Sequence, residues 1–111
     1  MHSAAAPEPP IAQIAQTISL ALRPSRIILF GSRALGGARP DSDVDLMVEM
    51  ESDLPWHERA KLIYRLFHPR RWSMDVVVYT PDEASKLRQN PYSLLRQIEH
   101  SGQVLYQRQA S

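Results

Sequence analysis

The stretch ILFGSRALGGARPDSDVDLMV, residues 28–48, places a glycine-serine turn shortly before two aspartates that are two residues apart. The run RIILF, residues 26–30, is short, apolar and rich in branched side chains, which predicts a buried strand. The run DVDLMVEM, which starts at Asp43, alternates apolar residues with mainly acidic ones and predicts a second strand. Glycines and a proline mark the residues between them as loop, with room for a short helical turn after Ser32.

One helix is predicted before the first strand and another after the second strand. Pro10 suits the first turn of the earlier helix, and Pro24 ends it. Pro55 opens the later helix, which is predicted to extend to about Phe67. The residues predicted on its inner face are Trp56, Ala60, Ile63 and Phe67. The basic residues predicted outside that face or at its edge are Arg59, Lys61 and Arg65.

The last third of the sequence predicts two more strands and two more helices. The run MDVVVYT, residues 74–80, is rich in branched side chains and predicts the third strand. Thr80 and Glu83 have the spacing of a capping box that starts the next helix. A further helix follows an Asn-Pro break and ends before Gly102, and QVLYQ predicts a short last strand. We therefore expect the α/β class, a small mixed β-sheet with helices packed on at least one face.

Length and composition restrict the classes of protein to consider. A chain of 111 residues fits one small domain, which we place at residues 10–111 after a disordered tail of residues 1–9. Thirteen Lys and Arg nearly balance twelve Asp and Glu, so the net charge does not indicate a nucleic-acid or membrane partner. The absence of cysteine excludes disulfides and thiolate zinc sites. With no signal peptide or long apolar run, we expect a cytoplasmic protein.

The aspartates have the pattern of a metal site. Asp43 and Asp45 lie two apart on a predicted strand, so their side chains point the same way and repel each other unless a cation lies between them. Oxygen ligands of this kind suit magnesium, which completes its shell with waters and substrate phosphates. Asp75 begins another predicted strand. If that strand neighbours the second one, the three carboxylates can converge, as two-metal nucleotidyl transfer requires.

The glycine-serine turn is the predicted phosphate site. Gly31 lets the backbone approach a phosphate, and the hydroxyl of Ser32 can donate to a phosphate oxygen. Arg33 or Arg39 could neutralise the remaining charge. A glycine-serine pair is usually only a turn, and an Asp-x-Asp pair at a strand end is often merely exposed. The combination of all these features in this order is far more specific.

The segment GSRALGGARPDSDVDL, followed by MDVVVYT, resembles the minimal nucleotidyltransferase (MNT) domains of the DNA polymerase β superfamily. The resemblance covers most of the chain and implies the nucleotidyltransferase fold, with a sheet like that of the polymerase β palm. It implies that Gly31 and Ser32 hold a nucleoside triphosphate and that Asp43 and Asp45 hold two magnesium ions. It further implies that Asp75 binds the catalytic ion and acts as the base toward an attacking hydroxyl.

The resemblance also implies an activity and a partner. Small MNT proteins are typically paired with a HEPN-family RNase toxin, so it implies a protein adenylyltransferase that acts as the antitoxin. Such an enzyme transfers AMP from ATP to a tyrosine of the toxin within a heteromeric complex, with no membrane or direct nucleic-acid partner. We expect no room for the helical second domain that holds the acceptor in larger relatives. The alternatives are a non-catalytic module that blocks the toxin by binding, and an adenylyltransferase of a small molecule such as an aminoglycoside.

Several other residues could be mistaken for functional ones. His57, His68 and His100 share no ligand spacing and are predicted to be structural or surface residues. Trp56 is predicted in the core, whereas Trp72, close before the third strand, is the better candidate for a contact with a base or a partner. The apolar surface of the last helix could belong to the core or to an interface.

Overall fold

A computed structural model describes residues 8–39 and 42–109, so residues 1–7 of the predicted tail and residues 40–41 and 110–111 of the predicted domain lie outside the described part. Its helices and strands, in chain order, are α1 (Ile11–Leu22), β1 (Arg26–Phe30), α2 (Ser32–Leu35), β2 (Val44–Glu49), α3 (Trp56–Leu66), β3 (Met74–Tyr79), α4 (Pro81–Leu87), α5 (Leu94–Ser101) and β4 (Gln103–Gln107). Each predicted helix and strand is found, which confirms the α/β class. No helix within these ranges is long and apolar enough to cross a membrane.

The four strands of the described residues form one mixed sheet in the order β3-β2-β1-β4. β1 is antiparallel to both β2 and β4, whereas β2 and β3 are parallel. Parallel neighbours need a crossover connection, and α3 supplies it. As a result, the end of β1 and the starts of β2 and β3 lie at the same end of the sheet.

Helices cover both faces of the sheet, where the sequence indicated at least one. On one face, α1 and α3 pack over the sheet, and the buried core there includes Ile14, Ile18, Ile63, Val44, Leu46, Val48, Val76 and Val78. On the other face, α4 and α5 enclose a second core of Ile28, Met47, Tyr79, Ala84, Leu95 and Ile98. Because both faces are buried, β2 is apolar on both sides from Leu46 to Val48.

The inner face of α3 differs from the prediction at two positions. Trp56 was predicted in the core, but it is 49% exposed and packs its ring on Tyr79 at a centroid distance of 5.1 Å. Arg59 was predicted at the edge or outside, but it is only 7% exposed. Its guanidinium donates to the carbonyl of Leu54 at 3.0 Å and to the carboxylate of Glu83 at 2.6 Å. These partners make the burial of a charged side chain tolerable.

The outer edge of β3 is closed by side chains of α3. The hydroxyl of Tyr64 accepts a hydrogen bond from the amide of Val76 at 3.0 Å, and Arg59 donates to the carbonyl of Val78 at 3.4 Å. The Arg59 guanidinium, more than any other group, lowers the pKa of the Glu83 carboxyl. Main-chain groups that an edge strand would otherwise expose therefore have partners here.

Replacing Arg59 with lysine should lower the free energy of unfolding by about 1–3 kcal/mol, the scale of hydrogen bonds to charged groups. Lysine keeps the charge but cannot donate to three separate acceptors in the geometry of a guanidinium. Urea unfolding followed by circular dichroism measures the change. Arg65→Lys, on an exposed position of the same helix, is the control and should stay within about 0.5 kcal/mol. Equal losses for the two variants would show that Arg59 does not hold α3 to the sheet.

Candidate active site

The three predicted metal ligands lie at the same end of the sheet. Asp45 near the start of β2 is paired in register with Asp75 near the start of β3. Asp43 lies just before β2, two residues ahead of Asp45. Asp43 and Asp75 are exposed and Asp45 is half-buried. The strand adjacency on which convergence of the carboxylates depended is therefore confirmed, while their roles as ligands stay predictions.

The three carboxylates interact electrostatically. Burial is the main cause that raises the pKa of Asp45, and the charges of Asp75 and then Asp43 raise it further. The folded structure without a bound cation thus disfavours the ionised form of Asp45. A cation near these side chains would relieve the repulsion and favour the ionised form.

The donor set fits a magnesium ion whose shell is completed by a substrate. Among the described residues, no three His, Asp or Glu side chains form a ready-made cluster around a metal position. Magnesium is usually held by one or two carboxylates together with waters and substrate phosphates, so it does not need such a cluster. Asp43 and Asp45 would supply the carboxylates, and they are close enough for the charge of Asp43 to raise the pKa of Asp45.

The glycine-serine turn lies directly beside Asp45. Phe30, the last residue of β1, is paired with Asp45, and Gly31 follows it. Gly31 has φ 75° and ψ −156°, a conformation that is essentially restricted to glycine. A Cβ atom there would also overlap the Oδ2 oxygen of Asp45. The predicted phosphate turn is therefore in contact with Asp45, one of the predicted metal ligands, and Ser32 is exposed at the start of α2.

Two hydrogen bonds at the starts of the strands fix where Asp75 lies. The amide of Val44 donates to the carbonyl of Ser73 at 2.8 Å, which aligns the entrances of β2 and β3. The amide of Val76, next to Asp75, donates to the hydroxyl of Tyr64 in α3. The main chain on both sides of the Asp75 position is thus tied to neighbouring elements.

Arg33 has a role that sequence reasoning did not find. Its side chain is 8% exposed, and its guanidinium donates to the carbonyl of Ser42, the residue before Asp43. The predicted contact of Arg33 with a triphosphate stays a prediction. Arg39, the alternative cation, is exposed. No local sequence signal marks a bond between a side chain and a loop carbonyl nine residues away.

The other candidate residues lie as follows. Trp72 is half-buried and packs edge-on against Phe67 at a centroid distance of 6.3 Å. Its predicted contact with a base or partner remains untested. The histidines predicted to be structural or surface residues are all exposed: His57, His68 and His100. In the last helix, Leu95 and Ile98 belong to the core, whereas Leu94 is 48% exposed.

A cavity of about 210 Å³ adjoins the turn. Gly31 and Leu35 line one part of it, and Leu94 and Ile98 of α5 line another. A larger cavity of about 560 Å³ lies between α1 and β4, but no acidic or basic side chain lines it. The smaller cavity therefore adjoins the predicted phosphate turn, and a cavity of about 420 Å³ lies beside Ser73 and Met74, just before Asp75.

Comparison with known proteins agrees with this geometry. The sequence model of the family described as "Polymerase beta, Nucleotidyltransferase" matches residues 12–111. The fold is similar to that of a candidate nucleotidyltransferase from Sulfolobus solfataricus, with a TM-score of 0.59 and 17% sequence identity. The likeness covers 88% of this chain and 78% of that chain, and at this identity it shows the fold alone. No curated protein matches the chain.

Replacing Asp45 with asparagine should raise the midpoint of thermal unfolding at pH 7 in the absence of divalent cations. Folding raises the pKa of Asp45, so its ionised form destabilises the native state at neutral pH. As the pH falls and Asp45 of the wild-type protein takes up a proton, the difference between the two proteins should shrink. Melting curves between pH 7 and pH 4 measure this. Asp53→Asn, at an exposed loop position, is the control, and a lower midpoint for Asp45→Asn than for this control would contradict the expectation.

Replacing Gly31 with alanine should destabilise the protein by about 1–3 kcal/mol, because its backbone conformation excludes a side chain. The new methyl group should also displace the Asp45 carboxylate and abolish the stabilisation that magnesium and ATP together give. Gly37→Ala is the matched control, since Gly37 has no positive φ and a Cβ there would meet open space. Thermal unfolding with and without both ligands tests the pair. If both variants keep the ligand-induced shift, the turn does not adjoin the binding site.

Proposed function

The chain belongs to the polymerase β nucleotidyltransferase family, and from this premise we propose that it transfers AMP from ATP to a tyrosine of a HEPN-family RNase toxin. In this proposal the modification neutralises the toxin, and the chain is its antitoxin. The observation that carries the chemical part is the pairing of Asp45 with Asp75 beside the turn of Gly31. The fold and family support nucleotidyl transfer, and the choice of acceptor goes beyond them.

The proposed reaction assigns a task to each side chain of the site. The backbone at Gly31 and the hydroxyl of Ser32 bind the triphosphate of ATP. Asp43 and Asp45 hold magnesium, which supplies charge neutralisation for the phosphates and the departing pyrophosphate. Asp75 accepts the proton of the acceptor hydroxyl.

The bond changes balance around the α-phosphorus. The tyrosine oxygen attacks the α-phosphorus in line, and a new phosphorus–oxygen bond forms. The bond between the α-phosphorus and the oxygen that bridges to the β-phosphate breaks, and pyrophosphate leaves with its electron pair. The proton removed from the tyrosine passes to Asp75 and then to solvent.

A protein acceptor is favoured by the openness of the site. Asp43 and Asp75 are exposed, and no described element covers them. A hydroxyl on the surface of another protein can therefore reach the α-phosphate position without a domain movement. A small acceptor would instead need a pocket that encloses it, whereas the carboxylates of Asp43 and Asp75 are open to solvent.

Incubation with α-labelled ATP, magnesium and the product of the neighbouring gene, which the proposal expects to be a HEPN-family protein, tests the proposal. Label should pass to the HEPN protein, and mass spectrometry should find the added AMP on a tyrosine. The double variant Asp43→Ala and Asp45→Ala should reduce the rate at least about 100-fold, since it removes several kcal/mol of charge stabilisation. Asp53→Ala should transfer label at the wild-type rate.

The two alternatives predict different outcomes. A module that acts by binding alone would leave the HEPN protein unlabelled, and its Asp43→Ala and Asp45→Ala double variant would neutralise the toxin as well as the wild-type protein does. A small-molecule enzyme would label an added aminoglycoside and leave the HEPN protein unlabelled. Either result would overturn the proposed acceptor.

A further inference from the structure

We infer that Arg33 is a positioning residue that fixes the main chain at Asp43 and so sets the geometry of the metal site. The inference rests on the proposed function for the role of Asp43 as a ligand. It concerns a different task from the predicted contact between Arg33 and a triphosphate. The contacts of the guanidinium carry it.

The guanidinium of Arg33 binds the loop that leads into β2. Its Nε and Nη2 atoms donate to the carbonyl of Ser42 at 3.2 Å and 2.8 Å, and Nη2 also donates to the carbonyl of Arg39 at 3.3 Å. Its Nη1 atom pairs with the carboxylate of Glu8 at 3.2 Å. Arg33 lies in α2, directly after the glycine-serine turn. One side chain therefore joins the turn, the loop and the segment before α1.

These bonds act on the peptide group that enters Asp43. The carbonyl of Ser42 belongs to the peptide bond between Ser42 and Asp43, so holding it restricts the rotation that orients Asp43. On the other side, the amide of Val44 is held by the carbonyl of Ser73. Asp43 is exposed and precedes the strand, so the pairing of β2 with its neighbours does not fix it. The hydrogen bonds from Arg33 to the carbonyl of Ser42 therefore restrain the main chain at Asp43.

Arg39 and Ser42, the two residues whose carbonyls the guanidinium contacts, are also hydrogen-bonded to each other. The amide of Ser42 donates to the carbonyl of Arg39, and the hydroxyl of Ser42 accepts from the amide of Arg39, both at 2.9 Å. The guanidinium donates to the carbonyls of both residues at once. A guanidinium can do this because its donors point in several fixed directions in one plane, whereas an ammonium group cannot reproduce that geometry.

Manganese binding gives a readout that does not depend on catalysis. Mn²⁺ titrations followed by electron paramagnetic resonance would compare wild type, Arg33→Lys and Arg33→Gln, each with a non-hydrolysable ATP analogue. Both variants should bind Mn²⁺ about 10- to 100-fold more weakly, the loss typical of groups that orient a metal ligand. Arg65→Gln, at an exposed position of α3, is the control and should bind as wild type does.

The Arg33→Lys variant distinguishes a role in positioning Asp43 from a direct contact between Arg33 and the nucleotide. If Arg33 only neutralised phosphate charge, Arg33→Lys would bind Mn²⁺ and nucleotide nearly as wild type does, and that result would overturn the inference. A positioning role predicts instead that Arg33→Lys loses Mn²⁺ affinity as Arg33→Gln does. Arg33→Lys keeps the charge and carries the test if Arg33→Gln does not fold.

The same titrations distinguish failure of this inference from failure of the proposed function. If wild type and the double variant Asp43→Ala and Asp45→Ala bind Mn²⁺ equally, the carboxylates are not ligands and the proposed chemistry is wrong. If the double variant loses Mn²⁺ while Arg33→Lys and Arg33→Gln retain it, the metal site stands and only the positioning role of Arg33 is overturned.

Discussion

The parallel pairing of β2 with β3 is the constraint on which the rest of the site depends. It sets Asp45 opposite Asp75, although the whole of α3 separates them in sequence. A register shift of one residue would turn Asp75 to the other face of the sheet, together with the apolar residues of its strand. Burial of Val76 and Val78 against the helices therefore fixes the register. The hydrogen bond from the amide of Val44 to the carbonyl of Ser73, just before β3, reinforces it.

Repulsion between the carboxylates of the candidate site lowers the stability of the fold. Two buried cores flank the strands, and at their ends the chain brings like charges together with part of Asp45 withdrawn from water. Nothing in packing requires carboxylates there, since apolar or neutral side chains would fit the same sheet with less repulsion. The arrangement becomes favourable when a cation and phosphates supply opposite charge and further donors. Strain of this kind is typical of sites built for a charged ligand.

The sequence predicted most of the architecture because its signals are local. Alternating and branched runs marked the strands, and the capping box of Thr80 and Glu83 marked the start of α4 as it is found. The adjacency of Asp45 and Asp75 could be stated only as a condition, because strand order depends on packing at long range. The placement of Trp56 and Arg59 was wrong for a related reason. Helical periodicity ranks residues by hydropathy, and it cannot show that a guanidinium will find carbonyl and carboxylate partners in another element.

The central claim is that the ends of β2 and β3 hold a divalent cation that the nucleotide completes. Its most direct test is a crystal structure of the chain with Mn²⁺ and a non-hydrolysable ATP analogue, with the manganese located by anomalous scattering. We expect manganese within about 2.0–2.3 Å of carboxylate oxygens of Asp43 and Asp45 and of phosphate oxygens above Gly31. Manganese bound elsewhere, or a triphosphate that lies away from the glycine-serine turn, would contradict the account.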